Sequence, residues 1–247
     1  MAKNKKKLFN VVMRIIELIF LILLVYSSIN IFKWYNNNKE NKQIINEIAE
    51  SVTINEDTNE EKKYKINFEE LKQKNSDTVA WLKVENTNIE FPIVQSNNNS
   101  YYLTHNFDKK YNVAGWIFAD YKNKLDGTDR NIVVYGHNMR DNSMFGSLKD
   151  VITEEWYNNE ENKYITFVTE NDYQTYQVFS VYQIKTEDYY IQTEFKSNEF
   201  PEFIDTITKR SKKDFGINVS KEDTILTLST CANNNKYRVV LHSVRVK

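Results

Sequence analysis

The chain has 247 residues, 40% hydrophobic and 14% aromatic, enough to bury a substantial core in one domain with appendages. A formal net charge of −1 excludes the broad positive field of a nucleic-acid binder, and a single cysteine excludes an intrachain disulfide framework or a multi-cysteine zinc site. Five glycines and two prolines exclude a fibrous or low-complexity protein, while sixteen tyrosines and fourteen phenylalanines favour strands over a helix bundle.

Lys3, Lys5, Lys6 and Lys7 precede an apolar run from Val11 to Phe32. As a helix this run spans ~33 Å, against a hydrocarbon core of ~30 Å. Arg14 and Glu17 share a helix face near its start, and Trp34 and Tyr35 stand at its far end like an interfacial belt. No small-x-small cleavage site follows cleanly, so an uncleaved anchor is expected. The lysines then place residues 1–10 in the cytoplasm, 11–32 in the membrane and the rest outside. Residues 33–66 read as a stalk, in which Ile44, Ile48 and Val52 fall at helical spacing before a polar linker from about Asn55 to Lys65.

The remaining residues, 67–247, read as one β-rich domain. Asn67 is placed to cap a short helix beginning at Phe68, with acidic residues in its first turn. Strands are predicted at Thr78–Val84, Ile89–Val94, Gly115–Ala119, Asn131–Tyr135, Tyr164–Thr169 and Gln174–Ile184, with a final pair around Cys231. Pro92 marks the second as an edge strand or the site of a bulge. Short strands separated by turn signals, without alternating helices, suggest an antiparallel barrel or sandwich. One helix interrupts the pattern: Ser197 or Asn198 caps it, Pro201 lies in its first turn, and Phe200, Phe203, Ile204 and Ile207 form an apolar stripe. Lys209, Arg210, Lys212 and Lys213 then suit its carboxyl end as a solvated face.

Cys231 closes the β-branched run Thr224 to Thr230, and Asn233 to Asn235 read as the turn into a last strand that carries Arg238 and His242. A thiol of pKa ~8.5 is only about 3% thiolate at neutral pH, so a nucleophilic cysteine needs a neighbouring group to activate it. Outside the membrane an idle exposed thiol is a liability, so Cys231 is either buried or used. His137 follows a strand and a glycine that permits a sharp turn, which suits an acid/base group. His105 and His242 read as surface or satisfied core residues. A guanidinium stays protonated and cannot be a base, but it can stabilise an oxyanion. Cysteine, histidine and arginine together fit acyl transfer on a peptide bond, with no metal and no cofactor.

These residues carry a family resemblance. Thr227-Leu228-Ser229-Thr230-Cys231 with Arg238 downstream resembles the Thr-Leu-x-Thr-Cys…Arg signature of sortases. Tyr135-Gly136-His137-Asn138-Met139 and Ser143-Met144-Phe145 resemble class B sortases in particular, as do stretches around Trp81, Pro92, Tyr102 and Trp116. The resemblance implies a membrane-anchored cysteine transpeptidase of mainly Gram-positive bacteria. It further implies a mainly β fold: an eight-stranded sortase-type β-barrel with amino-terminal helices and one long helix before the cysteine strand, where the Phe200–Ile207 stripe lies. By the same resemblance Cys231 is the nucleophile, His137 the general acid/base and Arg238 the oxyanion or substrate stabiliser. The substrates implied are surface proteins with a carboxyl-terminal sorting motif like Asn-Pro-Gln-Thr-Asn, or a variant ending in Thr-Gly. Cleavage after threonine leaves a thioacyl enzyme, and the acceptor is a peptidoglycan amine. Ser229 and Thr230 line the substrate groove or pack within the strand. The link from Cys231 to Arg238 is short and lacks the acidic residues common there in the family, and Arg245 offers a second arginine of opposite parity. A cysteine peptidase that only hydrolyses, and a membrane-tethered binding barrel with Cys231 merely buried, remain the alternatives.

Overall fold

The computed structural model describes residues 2–55, 63–196, 198–232 and 236–246. The expected turn at Asn233 to Asn235, the Ser197 cap and most of the Asn55–Lys65 linker lie outside these. The chain divides into two compact units, Met1–Gln43 and Ile44–Lys247.

The first unit is helical, part of α1 (Ala2–Ala49). Leu18 through Val25 are each half or more exposed, so the helix presents apolar side chains on every side and no protein covers them. Among the described residues it is the one helix long and apolar enough to cross a bilayer.

The second unit begins with the last turns of α1, where Ile44 and Ile48 are buried in the main core as the stalk periodicity predicts. Val52 departs from that stripe. The chain turns where the Ser51 amide donates to the Ile48 carbonyl at 2.9 Å. Val52 then opens strand β1 (Val52–Asn55), which pairs antiparallel with β2 (Lys63–Ile66). β-branched residues win over the helical spacing here. Asn67 caps α2 (Phe68–Lys74), its side chain accepting from the Glu70 amide at 3.2 Å.

Eight further strands close into a barrel: β3 (Thr78–Val84), β4 (Glu90–Val94), β5 (Phe118–Ala119), β6 (Asn131–Gly136), β7 (Tyr164–Thr169), β8 (Tyr173–Lys185), β9 (Ile225–Ala232) and β10 (Tyr237–Arg245). Their spatial order is β10-β8-β7-β3-β4-β5-β6-β9. The barrel is not wholly antiparallel: β4 with β5, and β6 with β9, run parallel. Turn signals betray hairpins, but a parallel pair needs a long crossover and leaves no local signature. Between β6 and β9 that crossover holds the short helix α3 (Glu154–Tyr157), the β7–β8 hairpin and α4 (Glu199–Lys209).

β5 is shorter than the predicted Gly115–Ala119. Gly115 takes φ +57°, and a Cβ there would come within 2.3 Å of the Tyr102 carbonyl oxygen, so the backbone arrives at the sheet through a turn that only glycine fits. Pro92 pairs with Trp81 on β3, while β4 meets β5 only at Val94. Its missing N–H therefore faces no ladder, and the Trp116 indole donates to its carbonyl at 3.0 Å.

The inner face of β9 and β10 supplies Leu226, Leu228, Val239 and Leu241 to the main core. The other face of this sheet, with Ile225, Val240 and Val244, is covered by Phe200, Phe203, Ile204 and Ile207 of α4. Each such side chain contributes roughly 1.5–3 kcal/mol when fully buried. His242 lies wholly buried in this second layer, among the rings of Phe179, Tyr182, Tyr190 and Phe203.

Burial pushes the His242 pKa down to about 3. The unfolded chain takes up a proton at this residue below pH ~6.5 and the folded one does not. Its contribution to stability is thus intact above that pH and is lost as pH falls toward 3, at up to about 1.4 kcal/mol per unit. Urea unfolding of the protein and of His242→Gln between pH 7 and 4 is expected to show the shallower acid slope in the variant; parallel slopes would contradict this.

Candidate active site

Pairing in the barrel determines which residues meet. Because β6 and β9 are parallel, both point the same way, and Gly136 pairs with Thr230 at their carboxyl ends. His137 and Cys231 are the residues that follow. On its other side β9 runs antiparallel to β10, where Cys231 stands opposite Arg238. Three adjacent strands, ~4.8 Å apart, thus deliver histidine, cysteine and arginine to one end of the barrel.

A half-open groove of about 230 Å³ lies at this end. Its lining includes His137, Arg238, Ser229 and Thr230, so the histidine, the arginine and both groove candidates border one space. Asn99 and Leu103 contribute from the β4–β5 connection, and Tyr190 and Ile191 from the β8–α4 connection.

The His137 imidazole is held by the backbone. Its Nε2 lies 2.8 Å from the Leu103 carbonyl oxygen, which can only accept, so Nε2 carries the proton and Nδ1 is the remaining ring nitrogen. The histidine's own carbonyl accepts from the amides of Met139 and Phe145, at 3.1 and 3.0 Å, which fixes the path of the loop. Gly136 serves by close approach rather than by a special turn: a Cβ would lie 2.5 Å from Ile117 Cδ1 and 2.7 Å from Phe145 Cγ.

Asp120 acts elsewhere. Its Oδ2 accepts from the Tyr135 hydroxyl at 2.8 Å and from Asn99 Nδ2 at 2.7 Å, tying together two residues of the groove lining. Burial and then the Asp120 charge push the Tyr135 phenol far above its ordinary pKa, so it stays a neutral donor. Asp141 accepts from Ser143 Oγ at 2.7 Å and organises the loop after His137.

Arg238 is half-buried, and its Nη1 is fully buried with no hydrogen-bond partner among the described residues. A buried donor left unmade costs about 1–3 kcal/mol. Arg245 is engaged with Asp172 at 2.7 Å, seven residues further along β10 and so ~23 Å away. Ser229 is buried, its Oγ 3.1 Å from the Tyr190 hydroxyl, and Thr230 is buried beside Gly136. The other two histidines are outside the groove. His105 stacks on Tyr101 with ring centres 4.1 Å apart, and His242 is sealed under α4.

Sequence reasoning missed Leu103, Asn99, Tyr190 and Ile191 as groove residues. Leu103 acts through a main-chain oxygen, which no side-chain pattern reveals. The only signal for the others is an aromatic pair, Tyr189-Tyr190, standing in an otherwise polar stretch.

Known proteins resemble this chain over most of its length. The family described as the sortase domain matches residues 82–246. Sortase B of Listeria monocytogenes is 33% identical over 226 residues, covering 90% of each chain. The crystal structure of Clostridium perfringens sortase B is 38% identical, with a TM-score of 0.69, and covers 73% of this chain and 100% of that one. A Staphylococcus aureus sortase B–substrate complex is 34% identical, with a TM-score of 0.68, covering 73% and 84%.

Gly136→Ala is expected to push His137 off the Leu103 carbonyl, read as loss of the protected Nε2 proton in the imidazole NMR spectrum. Overpacking of this kind is also expected to lower the melting temperature by about 5 °C. An unchanged Nε2 signal would show that the glycine does not set the histidine's position.

Proposed function

The chain belongs to the sortase family, in its class B, and on that premise we propose that Cys231, His137 and Arg238 carry its acyl transfer. Class B sortases are cysteine transpeptidases that anchor proteins to the cell wall. The observation that carries the assignment is the register of β6, β9 and β10, which brings the three residues to one end of the barrel.

Cys231 passes its thiol proton to Nδ1 of His137, and the resulting thiolate attacks the carbonyl carbon of the motif threonine. The carbonyl electrons collect on oxygen, and the unpaired N–H of Arg238 is the donor in reserve for that charge or for the adjacent substrate backbone. Collapse breaks the C–N bond, and His137 delivers a proton through Nδ1 to the departing amine. The acyl group now rests on sulfur. An acceptor amine attacks it, giving its proton to His137; the new C–N bond forms, the C–S bond breaks and the thiolate returns. Leu103 supports this cycle because its carbonyl holds the ring by the nitrogen that takes no part.

Ser229 and Thr230 form the floor of the groove for the sorting motif, which is of the Asn-Pro-Gln-Thr-Asn kind or ends in Thr-Gly. The protein substrates are surface proteins bearing that motif near the carboxyl end, and the acceptor is an amine of peptidoglycan or its precursor. Residues 1–10 lie in the cytoplasm, 11–32 span the membrane, and 33–66, whose Ile44 and Ile48 pack into the main core, lead into the extracellular catalytic barrel of 67–247. The wholly apolar, uncovered stretch of α1 supports the anchor.

A quenched sorting-motif peptide, offered with and without an amine acceptor, tests the reaction. Ligation product in the presence of amine is expected, and release of free acid alone would make the enzyme a hydrolase. Cys231→Ala should abolish cleavage. His137→Ala should lower kcat by roughly 10²–10⁴-fold, and Arg238→Ala by roughly 10²–10³-fold. Residual cleavage by Cys231→Ala would sink the mechanism.

A further inference from the structure

A chain of buried hydrogen bonds behind the groove takes no part in the chemistry above, and it runs in one direction. Thr227 Oγ1 donates to Asn131 Oδ1 at 2.6 Å. Its proton being committed, it accepts from His242 Nδ1 at 2.8 Å. The histidine then has a bare Nε2, which accepts from the Tyr182 hydroxyl at 2.8 Å. Tyr182 in turn accepts from the Tyr189 hydroxyl at 3.2 Å. At the opposite end, Asn131 Nδ2 donates to the carbonyls of Gln192 at 2.9 Å and Tyr190 at 3.4 Å.

The chain therefore begins and ends on one segment, the turn at Tyr189–Ile191 and the residue after it. That segment supplies Tyr190 and Ile191 to the groove, and the Tyr190 hydroxyl reaches Ser229. From outside, the Arg210 guanidinium lies 4.5 Å over the Tyr189 ring and 3.4 Å from Glu187. His242 itself is four residues from Arg238 along β10, ~13 Å, too far to touch the groove.

We propose that His242, Thr227 and Asn131 are positioning residues that clamp the Tyr189–Gln192 wall in the place where it receives substrate. The proposal rests on the assignment of this groove as the sorting-motif site. Packing of Tyr190 in the second layer and the Arg210 contact hold this connection from other sides but leave its polar groups to the sheet. Here both of its ends are fastened to the sheet by groups whose donors and acceptors are all committed, so displacing the wall would strand buried polar atoms. Neutral histidine suits the centre of such a chain, because it accepts on one nitrogen and donates on the other.

The test uses the full-length protein in detergent and compares peptide cleavage with alkylation of Cys231 by iodoacetamide, which needs the nucleophile but not the wall. Thr227→Val keeps the strand's shape and cuts the chain between His242 and Asn131. Its KM for the sorting-motif peptide is expected to rise about tenfold, the size of one lost buried hydrogen bond, with kcat within about threefold and alkylation unchanged. Thr227→Ser restores the hydroxyl and should restore KM. Tyr182→Phe cuts the chain at its other end and is expected to give the same split, which keeps the test decisive should Thr227→Val not fold. An unchanged KM in a folded Thr227→Val or Tyr182→Phe variant overturns the clamp, as does a parallel fall in kcat and alkylation. Tyr190→Ala separates the premise from the proposal: if it leaves KM unchanged, the groove assignment fails, and if it alone raises KM, only the clamp fails.

Discussion

The parallel pairing of β6 with β9 is the constraint on which the site depends. An antiparallel neighbour would carry the residue after Gly136 away from the residue after Thr230; the parallel one brings both out at the same end. This pairing is possible because the crossover from β6 to β9 is long enough to contain the β7–β8 hairpin and α4, and because closure of the barrel leaves no edge free for a different order. The antiparallel β9–β10 ladder then sets Arg238 opposite Cys231. Backbone hydrogen bonds, not contacts among the catalytic side chains, thus determine which chemical groups meet.

The two faces of the β8–β9–β10 sheet divide the labour. One face fills the barrel with Leu226, Leu228, Val239 and Leu241, and the other receives α4. That second layer is more than a cover. It encloses a fully buried histidine and links the connection between β8 and α4 to the sheet beneath.

How much of this was legible in the sequence follows from the range of each interaction. Strands β3 and β7 fall where alternation and β-branched residues place them, and the α4 stripe Phe200, Phe203, Ile204 and Ile207 is buried as its spacing predicts. His137, Arg238, Ser229 and Thr230 were all legible, because side-chain identity marks them, and all four border one groove. The parallel pairs were not, since nothing local distinguishes them from hairpin strands. Val52 was assigned to a helix because a spacing of four is compatible with either state until the turn at Ser51 is known. Gly136 was correctly singled out for the wrong reason: sequence suggests a turn residue, whereas crowding by Ile117 and Phe145 leaves no room for a side chain. Asp120 carries no local signal of its role, which is to hold Tyr135 and Asn99 together.

The main-chain oxygen that meets the His137 imidazole has an evolutionary implication. Every amino acid offers the same oxygen at position 103, so the group that meets the imidazole is not marked by the identity of the side chain there. Leu103 also borders the groove, and its side chain packs against the main core. One residue therefore joins two functions of the fold: its main chain holds the His137 ring while its side chain helps to fill the core. A change in the core beneath position 103 would therefore be felt at the imidazole, although no side chain links the two.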